Sequence, residues 1–224
     1  MARVTMVPTP IGNLEDMTYR AVRILHEADL IAAEDTRTSA VLFKHYSISR
    51  PVVALHQHNE HVHTPRLLDR IEKEDLHLAV VTDAGTPGIS DPGFLIVREA
   101  IKRGIPVETL PGPTAFVPAL VNSGLPSDRF VFEGFLPVKK GRKTRLKALA
   151  VEPRSIILYE SPHRLARTLE DLCTWFGPDR PACVARELTK LHEEVLRNSL
   201  ALLLAHYKES NVKGEIVLIV AGAE

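Results

Sequence analysis

The sequence predicts an α/β protein of two domains, and three observations carry that prediction. Short apolar, β-branched runs alternate with helix-length amphipathic segments through the first half of the chain, the pattern of strands joined by helical crossovers in a mainly parallel, covered sheet. Gly124-Leu125-Pro126-Ser127-Asp128 is short, polar and rich in breakers, the composition of a domain boundary. Beyond it, strand-like stretches at 182–185 and 193–197 follow one another, so antiparallel pairing within a mixed sheet is expected. The predicted domains are residues 1–124 and 125–224.

Each element has a local reason. Arg3 to Val7 is a short apolar strand that ends in the turn-rich Pro8-Thr9-Pro10-Ile11-Gly12-Asn13, ahead of a helix from Thr18 to Glu27. Leu30 to Ala33 reads as a buried strand, followed by the polar Glu34-Asp35-Thr36-Arg37 and a helix ending near Tyr46. Val52 to Leu55 is a third strand, and Thr64-Pro65 supplies a cap and a first-turn proline for the next helix. Leu78 to Thr82 is the central strand; its long loop reaches Asp91-Pro92, a second cap-plus-proline signal, and Gly104 closes the helix that follows. Val107 to Leu110 leads into Pro111-Gly112-Pro113-Thr114 and a helix that stops near Gly124. In the second half, strands are expected at 130–132, 155–159, 182–185, 193–197 and 215–221, with Gly134 to Pro137 as a turn. Helices are expected over 162–176, closed by Gly177, and after a Ser199 cap.

Composition narrows the classes. The 224 residues are enough to bury a sizeable core. Lys+Arg 28 against Asp+Glu 28 leaves no net charge, so a nucleic-acid partner must be met by a local patch rather than by the whole molecule. Cys173 and Cys183 stand far apart without CxxC spacing, which fits a reducing, cytoplasmic compartment. No apolar run approaches the roughly 18 residues of a membrane span, and no charged segment followed by an apolar one opens the chain, so a soluble protein is expected. Neither G-x-G-x-x-G after the first strand nor G-x-x-x-x-G-K-[ST] occurs, which excludes an ordinary dinucleotide-binding protein and a P-loop NTPase.

Three Pro/Gly loops, at 8–13, 83–93 and 111–114, each follow a predicted strand. Loops that leave the carboxyl ends of parallel strands are where small ligands bind, so a shared ligand edge is preferred to three rigid connections. Glu34-Asp35-Thr36-Arg37 follows a buried strand: adjacent carboxylates there can tune one another's pKa, although a helix-capping box needs the same residue types. Tyr159-Glu160-Ser161-Pro162-His163-Arg164 and Ala185-Arg186-Glu187-Leu188-Thr189-Lys190 repeat the arrangement. His56, His58, His61 and His63 offer imidazoles, but no separate Cys or Asp cluster stands at ligand spacing, and a polar loop is the simpler reading. Lys139 to Lys147 is basic, with no acid from Gly134 through Val151. On a neutral chain this favours a phosphate contact over a solvated helix face.

Taken together, Pro8-Thr9-Pro10-Ile11-Gly12-Asn13-Leu14, Ala33-Glu34-Asp35-Thr36-Arg37, His56-x-His58-Asn59-Glu60, Asp83-Ala84-Gly85-Thr86-Pro87, Ser90-Asp91-Pro92-Gly93, Pro111-Gly112-Pro113, Glu133-Gly134-Phe135-Leu136-Pro137, the two polar blocks at 159–164 and 185–190, and Lys213-Gly214-Glu215 resemble the ribosomal RNA small subunit methyltransferase I family. The blocks keep their order from the first strand to the last; His61 and His63 are extra to the pattern. The resemblance implies a tetrapyrrole methylase-like α/β fold, with a cofactor cleft between the two domains. It also implies a homodimer in the cytoplasm, without membrane attachment, acting on small-subunit ribosomal RNA within the 30S subunit. The implied reaction is S-adenosylmethionine-dependent methylation of the ribose 2′-hydroxyl of a decoding-centre cytidine. A corrinoid- or porphyrin-precursor methyltransferase of the same fold is the alternative, and a metal phosphohydrolase using the histidines is a third reading. No metal is implied.

Carried onto this sequence, the resemblance implies a cofactor site of Pro8, Asp83, Ala84, Thr86, Pro87, Ser90, Gly112, Thr114, Phe135, Tyr159, Leu188 and Gly214. It places Glu34, Asp35, Arg37, Glu160, His163, Arg164, Glu187 and Lys190 around the acceptor ribose, with Glu34 and Glu187 as candidates for general base. Lys139, Lys140, Arg142, Lys143 and Arg145 are expected on RNA phosphates.

Overall fold

The computed structural model describes residues 1–210 and 212–223. The chain divides into two compact units, Met1–Thr114 and Ala115–Glu224. The first runs β1 (Arg3–Met6), α1 (Tyr19–Glu27), β2 (Leu30–Ala33), α2 (Thr36–His45), β3 (Val52–Ala54), α3 (Glu60–Glu74), β4 (His77–Val81), α4 (Phe94–Lys102) and β5 (Val107–Thr109). Its strands pair in the order β3-β2-β4-β1-β5, and all the pairings are parallel. Alternation along the strands splits their side chains between two faces. Val4, Met6, Leu30, Ala32, Leu78 and Val80 form a core with Leu67, Leu68 and Ile71 of α3 and Ile96 and Ala100 of α4. Ile31, Ala33, Ala79 and Val81 do the same with Ala21, Ile24 and Leu25 of α1 and Leu42 and Phe43 of α2. A sheet covered on both faces explains why β2 and β4 read as unbroken apolar runs. It also sends the loops after β2, β4, β1 and β5 out along one edge.

Local signals set most boundaries. The Thr18 hydroxyl accepts from Ala21 N at 3.1 Å and starts α1, and Gly104 follows α4 with φ 72°. The signal at Thr64-Pro65 misleads, since α3 begins at Glu60 and carries Pro65 inside it. A proline that near the start forfeits a single bond, to the carbonyl four residues back, and so does not break the helix. Likewise α4 is preceded by Gly93 rather than capped at Asp91.

The second unit runs α5 (Phe116–Ser123), β6 (Phe130–Phe135), α6 (Arg142–Ala150), β7 (Ser155–Glu160), α7 (Leu165–Phe176), β8 (Pro181–Arg186), β9 (Glu194–Ser199), α8 (Leu200–Lys208) and β10 (Ile216–Val220). The sheet order is β6-β7-β10-β8-β9: β6 lies parallel to β7, and the remaining pairs are antiparallel. Ile156, Leu158, Val184, Leu218 and Val220 pack with leucines of α6, α7 and α8. The helix α5 packs on β8, β9 and β10, burying Ala119 and Leu120. For that reason the units divide after Thr114 and not at the breaker-rich 124–128, which is a loop inside the second unit. The strand β6 also runs further than expected, through an irregularity between Phe132 and Gly134 to Phe135. Ser199 caps α8 as predicted, accepting from Leu202 N at 3.4 Å.

Candidate functional site

Parallel strands deliver the Pro/Gly loops of the first unit to one edge, where backbone groups tie them together. Thr9 and Gly85 exchange two backbone hydrogen bonds of 2.9 Å, and the Thr9 hydroxyl donates to the Thr82 carbonyl at 3.0 Å. The Thr86 hydroxyl donates to Pro113 O at 3.0 Å. Gly112 approaches the first loop so closely that a Cβ there would stand 2.7 Å from Pro8 Cβ, so only glycine lets these two loops meet. Pro8, Thr86 and Gly112 of the expected cofactor set are thus brought together, along with the Asp83-Ala84 turn. Ser90 takes a positive φ of 64° in the same loop.

The loop after β2 joins this edge through carboxylates. Asp83 N donates to Glu34 Oε2 at 3.4 Å, and Asp35 N donates to Asp83 Oδ1 at 3.2 Å. Burial pushes the Glu34 carboxyl up from the usual range; the Asp83 amide opposes that, and the negative charges of Asp83 and Asp35 add to it. Asp83 is pushed up as well, first by burial. Asp35 behaves oppositely. It caps α2 by accepting from Arg37 N at 2.8 Å and pairs with the Arg37 guanidinium at 2.7 Å, which holds its carboxyl down at about 2. Asp35 is thus the cap of α2, and Glu34 a half-buried carboxylate whose pKa burial raises.

In the second unit the expected polar residues divide into two internal assemblies. Glu160 is buried; it accepts from the Thr168 hydroxyl at 2.5 Å and Ser161 N at 2.8 Å, and it pairs with Arg164 Nε at 3.3 Å. Arg164 also donates to Leu136 O at 2.8 Å. His163 lies on the exposed side of this turn, its amide donating to Ser161 Oγ at 3.3 Å. Around the other block, Lys190 Nζ donates to Glu187 Oε1 at 2.7 Å and Glu215 Oε2 at 2.8 Å. Glu187 also accepts from Glu215 N at 2.9 Å. The Lys190 hydrogen bond leads the causes that hold Glu187 below the usual carboxylate range. Burial pulls Lys190 down, but its two carboxylate bonds outweigh that and its pKa is raised. Glu187 and Thr189 take positive φ of 52° and 67°. Gly214 is held against this turn with φ 91°, leaving no room for a side chain beside Glu187. Leu188 is buried in the same turn.

Phe135 is exposed and meets Tyr159 ring to ring at 5.8 Å, so these two members of the expected cofactor set adjoin each other. The basic run divides. Arg142 is buried, donating to Asp171 at 2.7 Å, Pro137 O at 3.2 Å and Thr168 at 2.9 Å. Arg145 is ion-paired with Glu133. Arg142 is therefore a correction to the expected phosphate contacts, since acids from outside the run neutralise what the run itself does not. Lys139, Lys140 and Lys143 are exposed.

Residues 3–203 match the family described as Tetrapyrrole (Corrin/Porphyrin) Methylases. The ribosomal RNA small subunit methyltransferase I of Synechocystis sp. is 50% identical over all 224 residues, which span 80% of that protein. The protein of that name in Thermotoga maritima is 43% identical, with each chain covered in full. The chain belongs to this methyltransferase family. Among solved structures, the uroporphyrin-III-C-methyltransferase of Thermus thermophilus superposes with a TM-score of 0.69 at 22% identity, covering 99% of this chain and 94% of the other; this likeness concerns the fold.

A tetrapyrrole methylase needs a place for a sulfonium cofactor, and the edge of the first unit fits one. The loops at 8–13, 83–93 and 111–114 contain no Lys, Arg or His; they offer carbonyls, with the Asp83 and Glu34 carboxylates beside them. Such a donor set suits a cation and lacks the fixed positive charge a phosphate would want. Among the described residues, no group of three or more His, Cys, Asp or Glu side chains is arranged to hold a metal ion. Sequence reading missed Thr168 and Asp171, which lie in an ordinary amphipathic helix pattern, and it missed Glu133 as the partner of Arg145. Glu215 stood within a quoted block without a role; its spacing from Lys190 gave no signal.

Proposed function

We propose that this chain uses S-adenosylmethionine to methylate the ribose 2′-hydroxyl of a decoding-centre cytidine in small-subunit ribosomal RNA, acting on the 30S subunit in the cytoplasm as a homodimer. The observation that carries the reading is the half-buried Glu34 beside the cation-free loops, a base next to a place for a sulfonium. The names borne by relatives of about half identity supply the acceptor class. Among the described residues no helix is long and apolar enough to cross a membrane.

On this reading the cofactor residues are Pro8, Asp83, Ala84, Thr86, Pro87, Ser90, Gly112 and Thr114, with Phe135, Tyr159, Leu188 and Gly214 added as the resemblance implies. When bound, the cofactor supplies an electrophilic methyl group. Glu34 accepts the 2′-hydroxyl proton as the oxygen becomes nucleophilic, which its raised proton affinity favours. Asp35 holds Arg37 at the start of α2, where the 90% exposed guanidinium can meet a phosphate or the developing alkoxide charge. Glu160 and Arg164 act by fixing the turn that carries His163, and Lys190 by fixing Glu187.

The test is transfer of labelled methyl from the cofactor to isolated 30S subunits. Label in a single nucleotide that resists alkaline cleavage on its 3′ side is expected, while label on a base would overturn ribose methylation. Lys139, Lys140 and Lys143 are assigned to phosphates. Changing all three to Gln is expected to weaken RNA binding and to flatten its log–log salt slope by about two, with unchanged cofactor affinity by calorimetry. An unaltered slope would remove them from the RNA surface.

A further inference from the structure

We propose that His56 is the positioning residue of Glu34: placed two residues past the end of the neighbouring strand, its imidazole opposes the carboxylates of Asp83 and Asp35 and sets when Glu34 is free to take a proton. This rests on the reading of Glu34 as the base. β2 and β3 pair in parallel to the Ala33–Ala54 register, and Leu55 N donates to Ala33 O at 2.8 Å. Glu34 and His56 therefore leave adjacent strand ends on the same edge. The turn that follows is built to fix His56. Its amide donates to Asn59 Oδ1 at 2.9 Å, Asn59 Nδ2 donates to Ala54 O at 3.2 Å, and the His56 carbonyl accepts from the amides of Asn59 and Glu60, both at 2.9 Å. Asn59 consequently gives no side-chain cap to α3; its side chain serves the His56 turn instead.

Despite that anchoring, His56 Nδ1 is buried and, among the described residues, has no hydrogen-bond partner. A buried polar atom is costly to leave unpaired, so this nitrogen remains available to meet a group bound at the edge. The charges around Glu34 are Asp83 from the β4 loop, Asp35 from its own loop and His56 from the β3 loop. Arg37 acts on Asp35 and Asp83, and the His58 ring lies 6.0 Å from the His56 ring. Of these three charges acting on Glu34, His56 is the basic one. Of the two forms of Glu34, the imidazole favours the carboxylate.

The test is the titration of Glu34 in the free protein, followed by carboxyl ¹³C NMR in wild type and His56→Gln, alongside the pH profile of single-turnover methylation. Removing the imidazole is expected to move the Glu34 midpoint upward and to carry the acid limb of the rate profile with it, while cofactor affinity stays the same. An unmoved midpoint overturns the proposal. A midpoint that moves while the rate profile does not would uphold the pairing and instead defeat Glu34 as the base. If His56→Gln does not fold, the wild type decides: the His56 imidazole ¹⁵N shift should record the Glu34 midpoint, and its failure to do so overturns the pairing. His56→Lys, which returns a cation, is expected to restore the acid limb; a merely structural imidazole would not be rescued that way.

Discussion

Glu34→Gln is expected to slow single-turnover methylation of 30S subunits by roughly 10²- to 10⁴-fold, the usual worth of a positioned general base, with cofactor affinity kept. Two carboxylates compete for the role, and their surroundings separate them. Glu187 is fixed by Lys190 and by the Glu215 amide, and that pairing favours its ionised form; it has little appetite for a proton. Among the described residues no cation is bonded to Glu34 in the same way, and burial leads the causes that raise its pKa. The rate should therefore rise with pH through the Glu34 midpoint and level off above it, while Asp35, held at about 2, stays ionised throughout. The sign for stability is opposite. A carboxyl whose folded pKa is raised favours the fold in its protonated form, and that contribution fades as pH climbs through the folded value. Glu34→Gln should then lose no stability at neutral pH, and thermal melts would show this. Glu187→Gln should instead loosen the Glu187–Lys190 turn, seen as faster amide exchange there. Equal rates for Glu34→Gln and wild type would remove Glu34 from the chemistry.

What could be read from sequence was what is decided locally or by topology. Thr18 and Ser199 cap helices through bonds to residues three positions on, and the Pro/Gly loops reach one edge because parallel strands must all end on the same side. Gly112 was legible as a turn residue, though its reason is contact with Pro8, about a hundred positions earlier in the chain. Charge was read least well. Arg142 belonged to an uncompensated basic run only within a window that left out Asp171, 29 residues away. The proline at 65 marked a helix correctly but not its start, since a proline is tolerated anywhere in the opening turns where little hydrogen bonding is forfeited. Glu160 and Glu34 stand in similar strand-end contexts, and nothing in those contexts says that one carboxylate turns inward to a threonine and the other to a loop.

That difference gives the second large effect. Glu160→Ala is expected to destabilise the protein by about 3 kcal/mol, the lower end for removing one partner of a buried pair, lowering the melting temperature by roughly 10 °C for a chain of this size. The side chain is 1% exposed, and removing it leaves the Arg164 guanidinium, the Thr168 hydroxyl and the Ser161 amide without their shared acceptor. Thr168 in turn bridges to Arg142, which ties α6 to Asp171 of α7 and to the Pro137 carbonyl. Loss at one node thus loosens β7, α6 and the Leu136-Pro137 segment together. A catalytic carboxylate would show the reverse pattern, losing rate while the melting temperature held or rose, because active-site charges are often bought at the expense of stability. Glu160→Gln separates the two further: it keeps the volume and one acceptor but removes the charge facing Arg164, so an intermediate loss of stability is expected. A melting temperature unchanged in both variants, with methylation abolished, would return Glu160 to the acceptor site.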